Sequence, residues 1–477
     1  MSKRREPGKR AERSHTPIIS PLDVLARDGL PPTEPLAEET AVVGIRDSLY
    51  DMVPLGALER DLINTAAFLR LQQIRQLGFV YRVWPGATHT RYEHSLGVYY
   101  LALRALRLLA QRRTAGLRLT PAEKTTQPER VLLAAALLHD IGHYPFSHAI
   151  EELGFPIVSH EQVGRAIITS GEVAKVLRTH GLAPEIVANL IDLPRGQEHQ
   201  GVMRVLAKLL SGALDVDKLD YLPRDARACN VPYGGVDVTR LLGALRVEDQ
   251  GVTARLAVDA KGISPLNSLV HARQEMFDNI YWHHTGRAMI CMLLRAVQEA
   301  LLAGAIKPGD LVGHDDASLL AFLGGETMPP ATRALVEGLH SRRAYKVVVE
   351  LSSRAGRLYQ QINALYWDAA KRRRAELALA EDLSAALGEP VPDWGILIDI
   401  PKPEKWEMDV TVIFDDPPLG MQRVMTWAEA TGQTADDLSR YETHQRRVRL
   451  VASPELRDAA QLHRETLLAR LEQLAVL

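Results

Sequence analysis

"VLLAAALLHDIGHYPFSHAIEE", residues 131 to 152, opens as a helix that is apolar nearly all round and then turns into ionisable chemistry. The run from Val131 to Leu137 belongs in a core, and it delivers His139 and Asp140 to wherever it ends. A buried carboxylate without a partner is so costly that it takes up a proton instead, so Asp140 calls for a neighbouring cation or a metal. His143, His148 and Glu151 follow on the same stretch. This reading places a polar site at the end of a buried helix and makes the fold mainly α.

The flanking segments extend that pattern. "RYEHSLGVYYLALRALRLLAQRR" (91–113) sets His94, Val98, Leu101, Ala105 and Leu108 on one helical stripe. On its own, a histidine on such a stripe is more often a hydrogen-bonded core residue than a ligand. "GVMRVLAKLLSGALDVDKLDYL" (201–222) predicts a second long helix. Leu206, Leu210, Ala213, Asp217 and Tyr221 form one of its stripes, and Leu209, Ala213, Val216 and Asp220 form the neighbouring one. Periodicity therefore leaves Asp217 and Asp220 as equal candidates, and it predicts Asp215 as solvated. A third helical pattern runs from 268 to 304, while "PYGGVDVTRLL" predicts a loop leading into a small hairpin.

Helical patterns continue from 306 to 390, with "HSRRAYK" (340–346) read as a solvated face. Strands are predicted at "ILIDI" (396–400), "MDVTVIF" (408–414) and "RVRLVA" (447–452), followed by one amphipathic helix to the end. The expected organisation is a Pro-rich leader over 1–40, a helical domain over 41–305, and a helical extension with a small α+β region over 306–477.

Composition narrows the function classes. The chain has 477 residues, of which 46% are hydrophobic and 24% charged, as in a globular protein. No run approaches the roughly 20 apolar residues that span a bilayer. Two cysteines in unrelated contexts, Cys229 and Cys291, exclude a disulfide framework and fit a reducing cytoplasm. The net charge of −2 gives no global attraction to nucleic acid. The basic leader residues Lys3, Arg4, Arg5, Lys9, Arg10 and Arg13 read as a solvated tail, with weak contact to nucleic acid or an anionic partner as the alternative.

Two histidines and two aspartates suit a first-row divalent ion and leave positions open for water and a phosphate oxygen. The flanking motifs sharpen this. "FLRLQQIRQLGFVYRVWPGATHTRYEHSLGVYYLA", "LLHDIGHYPFSHAIEE", "SHEQVG" and "SGALDVDKLDYLPRDA" together resemble the HD-domain phosphohydrolases over roughly residues 42–300. The resemblance is to the branch containing the SAM- and HD-domain dNTP triphosphohydrolases and their bacterial relatives, and "MFDNIYWHHTGRA" and "LIDIPKP" look like the bacterial members. It implies an HD-domain helical bundle as the core.

By that resemblance His94, His139, Asp140 and Asp217 match the ligands of a divalent metal (Mg, Mn, Fe, Zn or Ni), which favours Asp217 over Asp220. Arg91 and Lys218 match phosphate contacts, Tyr221 a phosphate or sugar contact, Asp225 a carboxylate near the sugar hydroxyl, and Gln76 and Leu77 residues around the sugar ring. His148 and Glu151 match a His-carboxylate acid pair, three apart at the start of an expected helix, and His143 and His160 match further active-site histidines. For His143, support of a ligand is an equal reading. Animal relatives recognise an activating guanine with an acidic residue and an arginine, where this chain has Asn64 and Gln72, so that regulation is not implied.

The activity implied is conversion of a dNTP to a deoxynucleoside and triphosphate. A phosphodiester substrate, such as single-stranded nucleic acid, would use the same groups, and a non-catalytic nucleotide-binding regulator is a third reading. Relatives of this kind assemble as dimers or tetramers, and "LRAVQEALLAG" offers a surface for that. The "YWHH" segment (281–284), Trp394 and Trp406 are read as packing.

Overall fold

The computed structural model describes residues 43–112, 116–119, 121–248, 253–403, 408–433 and 435–476, so the leader and Trp406 lie outside the described residues. The chain enters through an antiparallel hairpin of β1 (Val43–Asp47) and β2 (Asp51–Leu55), with Val43 opposite Leu55. Its turn is held by Asp47, whose Oδ1 accepts the backbone N–H groups of Leu49 and Tyr50. The sequence reading missed these strands because each is only five residues long.

The helix Arg91–Gln111 is the axis of the first core. Its start is fixed by Glu93, whose Oε2 accepts the N–H of Thr90 at 2.8 Å. The helix Pro128–Leu138 begins with proline at its first turn and packs along the Arg91–Gln111 helix. The helix Val216–Cys229 crosses the same axis at Gly97. A Cβ added at Gly97 would lie 1.9 Å from Asp220 Oδ1 and 2.5 Å from Arg224 Nη2, so only glycine permits this approach.

The pattern over 201–222 is two helices, Gly201–Leu210 and Val216–Cys229. The break is made by Asp215, whose Oδ1 accepts the N–H of Lys218 and starts the second helix. Asp215 is buried, against the expectation that it is solvated: it also binds the Lys218 ammonium at 2.7 Å. The 268–304 pattern is divided too, by a π turn at Phe277–Tyr281 between helices Ile263–Met276 and His284–Leu302. The segment expected as a loop holds a helix, Val238–Ala244, ahead of the expected hairpin of β3 (Leu245–Glu248) and β4 (Arg255–Asp259).

The C-terminal half adds β5 (Lys346–Leu351), β6 (Ile396–Asp399), β7 (Thr411–Ile413), β8 (Val424–Thr426) and β9 (Val448–Ala452). One sheet runs β3-β4-β7-β8, with β4 and β7 parallel, and the other runs β5-β9-β6, antiparallel throughout. β5 begins within the segment read as a solvated face, yet Ala344, Tyr345 and Val348 are buried. Its Val-Val-Val run is what a pleated, half-buried strand favours. The final helix is interrupted at His463, giving Arg457–Leu462 and Arg464–Val476.

The fold is thus mainly helical, with small sheets mostly in the C-terminal half. Its first core gathers Leu96, Leu101, Leu132, Leu138 and Ile141. A second core gathers Phe79, Tyr144, Phe146, Ile150 and Leu153 with residues of the His284–Leu302 helix. The boundary between them therefore falls inside the opening motif, between Ile141 and Tyr144. No described helix is long and apolar enough to cross a membrane.

Candidate functional site

Three helices deliver four side chains to one point. His94 projects from the first turns of Arg91–Gln111, His139 and Asp140 follow the end of Pro128–Leu138, and Asp217 opens Val216–Cys229. His94 Nε2 lies 3.0 Å from Asp217 Oδ1 and 3.7 Å from Asp140 Oδ2. His139 Nε2 lies 3.3 Å from Asp140 Oδ1 and 3.9 Å from Asp217 Oδ1.

This donor set fits a divalent cation. His139 Nδ1 is 2.8 Å from the Ala136 carbonyl, which fixes the proton there and leaves Nε2 with its lone pair facing the cluster. That Nε2 is buried and has no hydrogen-bond partner. Burial opposes charge on His94, but hydrogen bonds to Asp217 and Asp220 outweigh it and raise the imidazole to about 10. Carboxylates that draw a buried imidazole so far toward its cation mark a place for positive charge, and two nitrogens and two carboxylates are suitable first-row ligands.

The other side of His94 was not assigned from sequence. His94 Nδ1 is 2.7 Å from Asp220 Oδ2, and Arg224 donates to both Asp220 oxygens at 2.8 and 2.9 Å. Arg224 also reaches Asp47, through Nη1 at 2.9 Å. The two aspartates that periodicity left equal thus face opposite nitrogens of one ring. Asp220 and Arg224, at helical spacing on an apolar stripe, were the available signal; Asp47 carried none.

The second group of ionisable side chains lies beside the first. Glu151 joins two histidines, with Oε2 3.1 Å from His148 Nδ1 and Oε1 2.9 Å from His160 Nδ1. His143 stacks on His160 with ring centres 3.8 Å apart, and its Nε2 is 3.0 Å from Asp140 Oδ1. It therefore touches both groups. Burial works against the Glu151 carboxylate, yet hydrogen bonds from His148 and His160 hold it well below the usual range. Burial also opposes charge on His160, and the Glu151 hydrogen bond reverses this and raises it. Burial and then Arg91 push His143 well down, so it is neutral.

His148 does not start a helix, as the spacing suggested. It sits in a turn after Phe146 and Ser147, both left-handed at φ 58° and 61°, and before the short 3-10 helix Ile150–Leu153. The approach of this region to the helix His160–Thr169 depends on Gly142, where a Cβ would meet the His160 carbonyl at 2.1 Å.

The candidate substrate residues surround these groups. Arg91 is buried and donates to Asp140 Oδ2 at 2.6 Å and to Ser147 at 3.2 Å. Lys218 donates to Asp215 and to the Gly212 carbonyl. Tyr221 has its ring centre 6.5 Å from both His94 and Tyr281. Asp225 is occupied on both oxygens, by His89 Nε2 and by the Tyr281 hydroxyl, each at 2.7 Å. Gln76 is buried with Oε1 unpaired, and Leu77 is half-buried against the first core. Tyr281 belongs to the segment read as packing, and His89 was not singled out.

The sequence pattern of the HD domain matches residues 91–225, and that of the HD-associated region matches residues 236–457. An uncharacterised protein of Methanocaldococcus jannaschii is 30% identical over 375 residues, covering 78% of this chain and 72% of that protein. Uncharacterised YwfO of Bacillus subtilis is 34% identical over 243 residues, 50% of this chain and 51% of its own. The human deoxynucleoside triphosphate triphosphohydrolase SAMHD1 is 28% identical over 283 residues, 54% of this chain and 44% of the human one. The chain thus spans about half the length of these last two relatives. A solved Bacteroides thetaiotaomicron phosphohydrolase shares the fold, with a TM-score of 0.63 at 23% identity, over 86% of this chain and 99% of that one. Two family patterns in sequence, a relative matched over most of its length, and a His/Asp cluster at the expected helix ends agree: this chain belongs to the HD-domain phosphohydrolases, with an HD-associated region following its HD domain.

Proposed function

We propose that this protein is a metal-dependent dNTP triphosphohydrolase, converting a dNTP and water to a deoxynucleoside and triphosphate. The observation that carries the reading is the junction of the two groups. Glu151 links His148 and His160, while His143 spans from that pair to Asp140. Water activation and leaving-group protonation would then occur on adjacent walls of one site.

His94, His139, Asp140 and Asp217 would hold the ion. When bound, a divalent ion lowers the pKa of a coordinated water and offsets charge on phosphoryl oxygens. Arg91 and Lys218 bring cationic groups to the polyphosphate, the first as a planar fork and the second as a point charge. His148 gives its proton to the 5′-oxygen as the bond from that oxygen to the α-phosphorus breaks, and solvent restores it. The oxygen of the attacking water remains on the triphosphate. Glu151 holds Nδ1 of His148, which leaves Nε2 for the transfer.

Similarity to the vertebrate deoxynucleoside triphosphate triphosphohydrolases supports a dNTP as substrate, and the hydrogen-bonded group of His89, Asp225 and Tyr281 beside Tyr221 offers polar atoms for a sugar. The same reading carries an HD unit over 41–305 with 306–477 as its extension, a cytoplasmic site of action, and assembly as a dimer or tetramer. The test is incubation with each dNTP, each NTP and single-stranded DNA, with Mg²⁺ or Mn²⁺, followed by chromatography. Deoxynucleoside and triphosphate from dNTPs are expected. Shortened DNA as the sole product contradicts the proposal.

A further inference from the structure

The acid turn is poorly equipped to hold its own shape. It combines two left-handed residues, Phe146 and Ser147, with a 3-10 helix of four residues, and such a short helix has little stability alone. Its fixings come from elsewhere. The Phe146 N–H donates to Asp316 Oδ1 at 2.8 Å, and the Phe146 ring stacks on Phe79. Arg287 grips the carboxylate of Glu152, the residue after Glu151, with Nη1 at 2.7 Å and Nη2 at 2.9 Å.

Arg287 is held in turn by the C-terminal sheet. Its Nε donates to Asp399 Oδ1 at 2.9 Å, and Asp399 sits at the end of β6. Arg449 on β9 donates to Asp399 Oδ2 at 3.2 Å and to Glu350 on β5 at 2.7 Å. Glu152, Arg287 and Asp399 are all buried. The chain of contacts alternates in charge from the acid turn to the far strand of the sheet.

We infer that Arg287 is a positioning residue for the acid pair, through which the C-terminal sheet sets where Glu151 stands relative to His148 and His160. The inference rests on the reading of His148 and Glu151 as the acid pair. Its physical basis is covalent: Glu151 and Glu152 share a peptide, so freeing the Glu152 carboxylate lets the Glu151 carboxylate move. A bidentate fork fixes orientation as well as distance, which a lysine ammonium cannot do. A displacement of about 1 Å at reacting groups can cost on the order of a hundredfold in rate.

The test uses the full chain with Arg287→Lys, and with Glu152→Gln as a second, milder variant. Retained circular dichroism and metal content show that the fold and the ligand cluster survive. The direct readout is the NMR titration of the His160 imidazole, which Glu151 raises in the wild type. In Arg287→Lys, and by a smaller amount in Glu152→Gln, its midpoint should fall toward the ordinary value of about 6.5. A midpoint unchanged in both variants overturns the inference, whatever the activity.

With a dNTP and Mn²⁺, Arg287→Lys should lower kcat about tenfold or more, as displacement of a reacting group does, and leave KM near the wild-type value. Added to Glu151→Gln it should cost nothing further, because it acts through Glu151. Multiplying losses in that double variant also overturn the inference. A Glu151→Gln enzyme as fast as wild type counts instead against the acid-pair reading, and the His160 titration then decides the positioning role alone.

Discussion

Asp220 is fully buried, with Oδ2 2.7 Å from Nδ1 of His94, on the side of the ring opposite the ligand cluster. By holding Nδ1, it would leave Nε2 to serve as the ligand atom once an ion replaces the proton shared with Asp217. Loss of a supporting carboxylate of this kind weakens metal binding by about 10–100-fold. Asp220→Asn should show that loss by calorimetric titration with Mn²⁺. Unchanged affinity would mean that His94 is not a ligand or does not need orienting.

Gly97 is the position at which two of the three helices that carry the candidate ligands meet, Arg91–Gln111 and Val216–Cys229. A methyl group there collides with Asp220 and Arg224. Gly97→Ala should destabilise the protein by about 1–3 kcal/mol, as overpacking does, and should reduce metal content as well. Chemical denaturation and elemental analysis measure the two effects separately.

The Glu151–His160 pair gives stability a definite pH window. Glu151 is depressed in the folded state, so its contribution is present above its unfolded value of about 4.3 and is lost as pH falls. His160 is raised, so its contribution is full below about 6.5 and is lost as pH rises through the folded value. Thermal melts of Glu151→Gln should therefore fall furthest below wild type between those limits. The deficit should narrow under alkaline conditions, and an equal deficit at every pH would contradict the pairing.

His148 and Asp217 should fail in different ways. His148→Ala removes the proposed acid and should lower kcat by about 10²–10⁴-fold while metal content stays the same. Asp217→Ala should lose metal and activity together. Turnover measured beside elemental analysis separates them.

The sequence carried much of this site because long apolar helices deliver their ends to predictable places. His139 and Asp140 stood out at the end of a buried run, whereas His94 alone read as a core residue and became a candidate ligand only through the family motifs, which also named the acid turn. What it could not carry was contact made through tertiary packing. Asp217 and Asp220 lie on adjacent stripes of one helix, and only the crossing at Gly97 shows which nitrogen of His94 each one faces. Asp215 looked solvated because a helix was drawn through it, whereas it caps the start of the next one. β5 was hidden because its valines follow a charged segment, and its place in the sheet depends on β9, far along the chain.

The central claim is that water attacks the α-phosphorus of a dNTP at the His94–His139–Asp140–Asp217 cluster. Its most direct test is a single turnover of a dNTP in ¹⁸O-labelled water with Mn²⁺, with mass spectrometry of both products and Asp217→Ala as the control. The expected result is label in the triphosphate, none in the 5′-hydroxyl of the deoxynucleoside, and no products from the variant. Label in the deoxynucleoside, release of a deoxynucleoside monophosphate, or full activity in Asp217→Ala would contradict it.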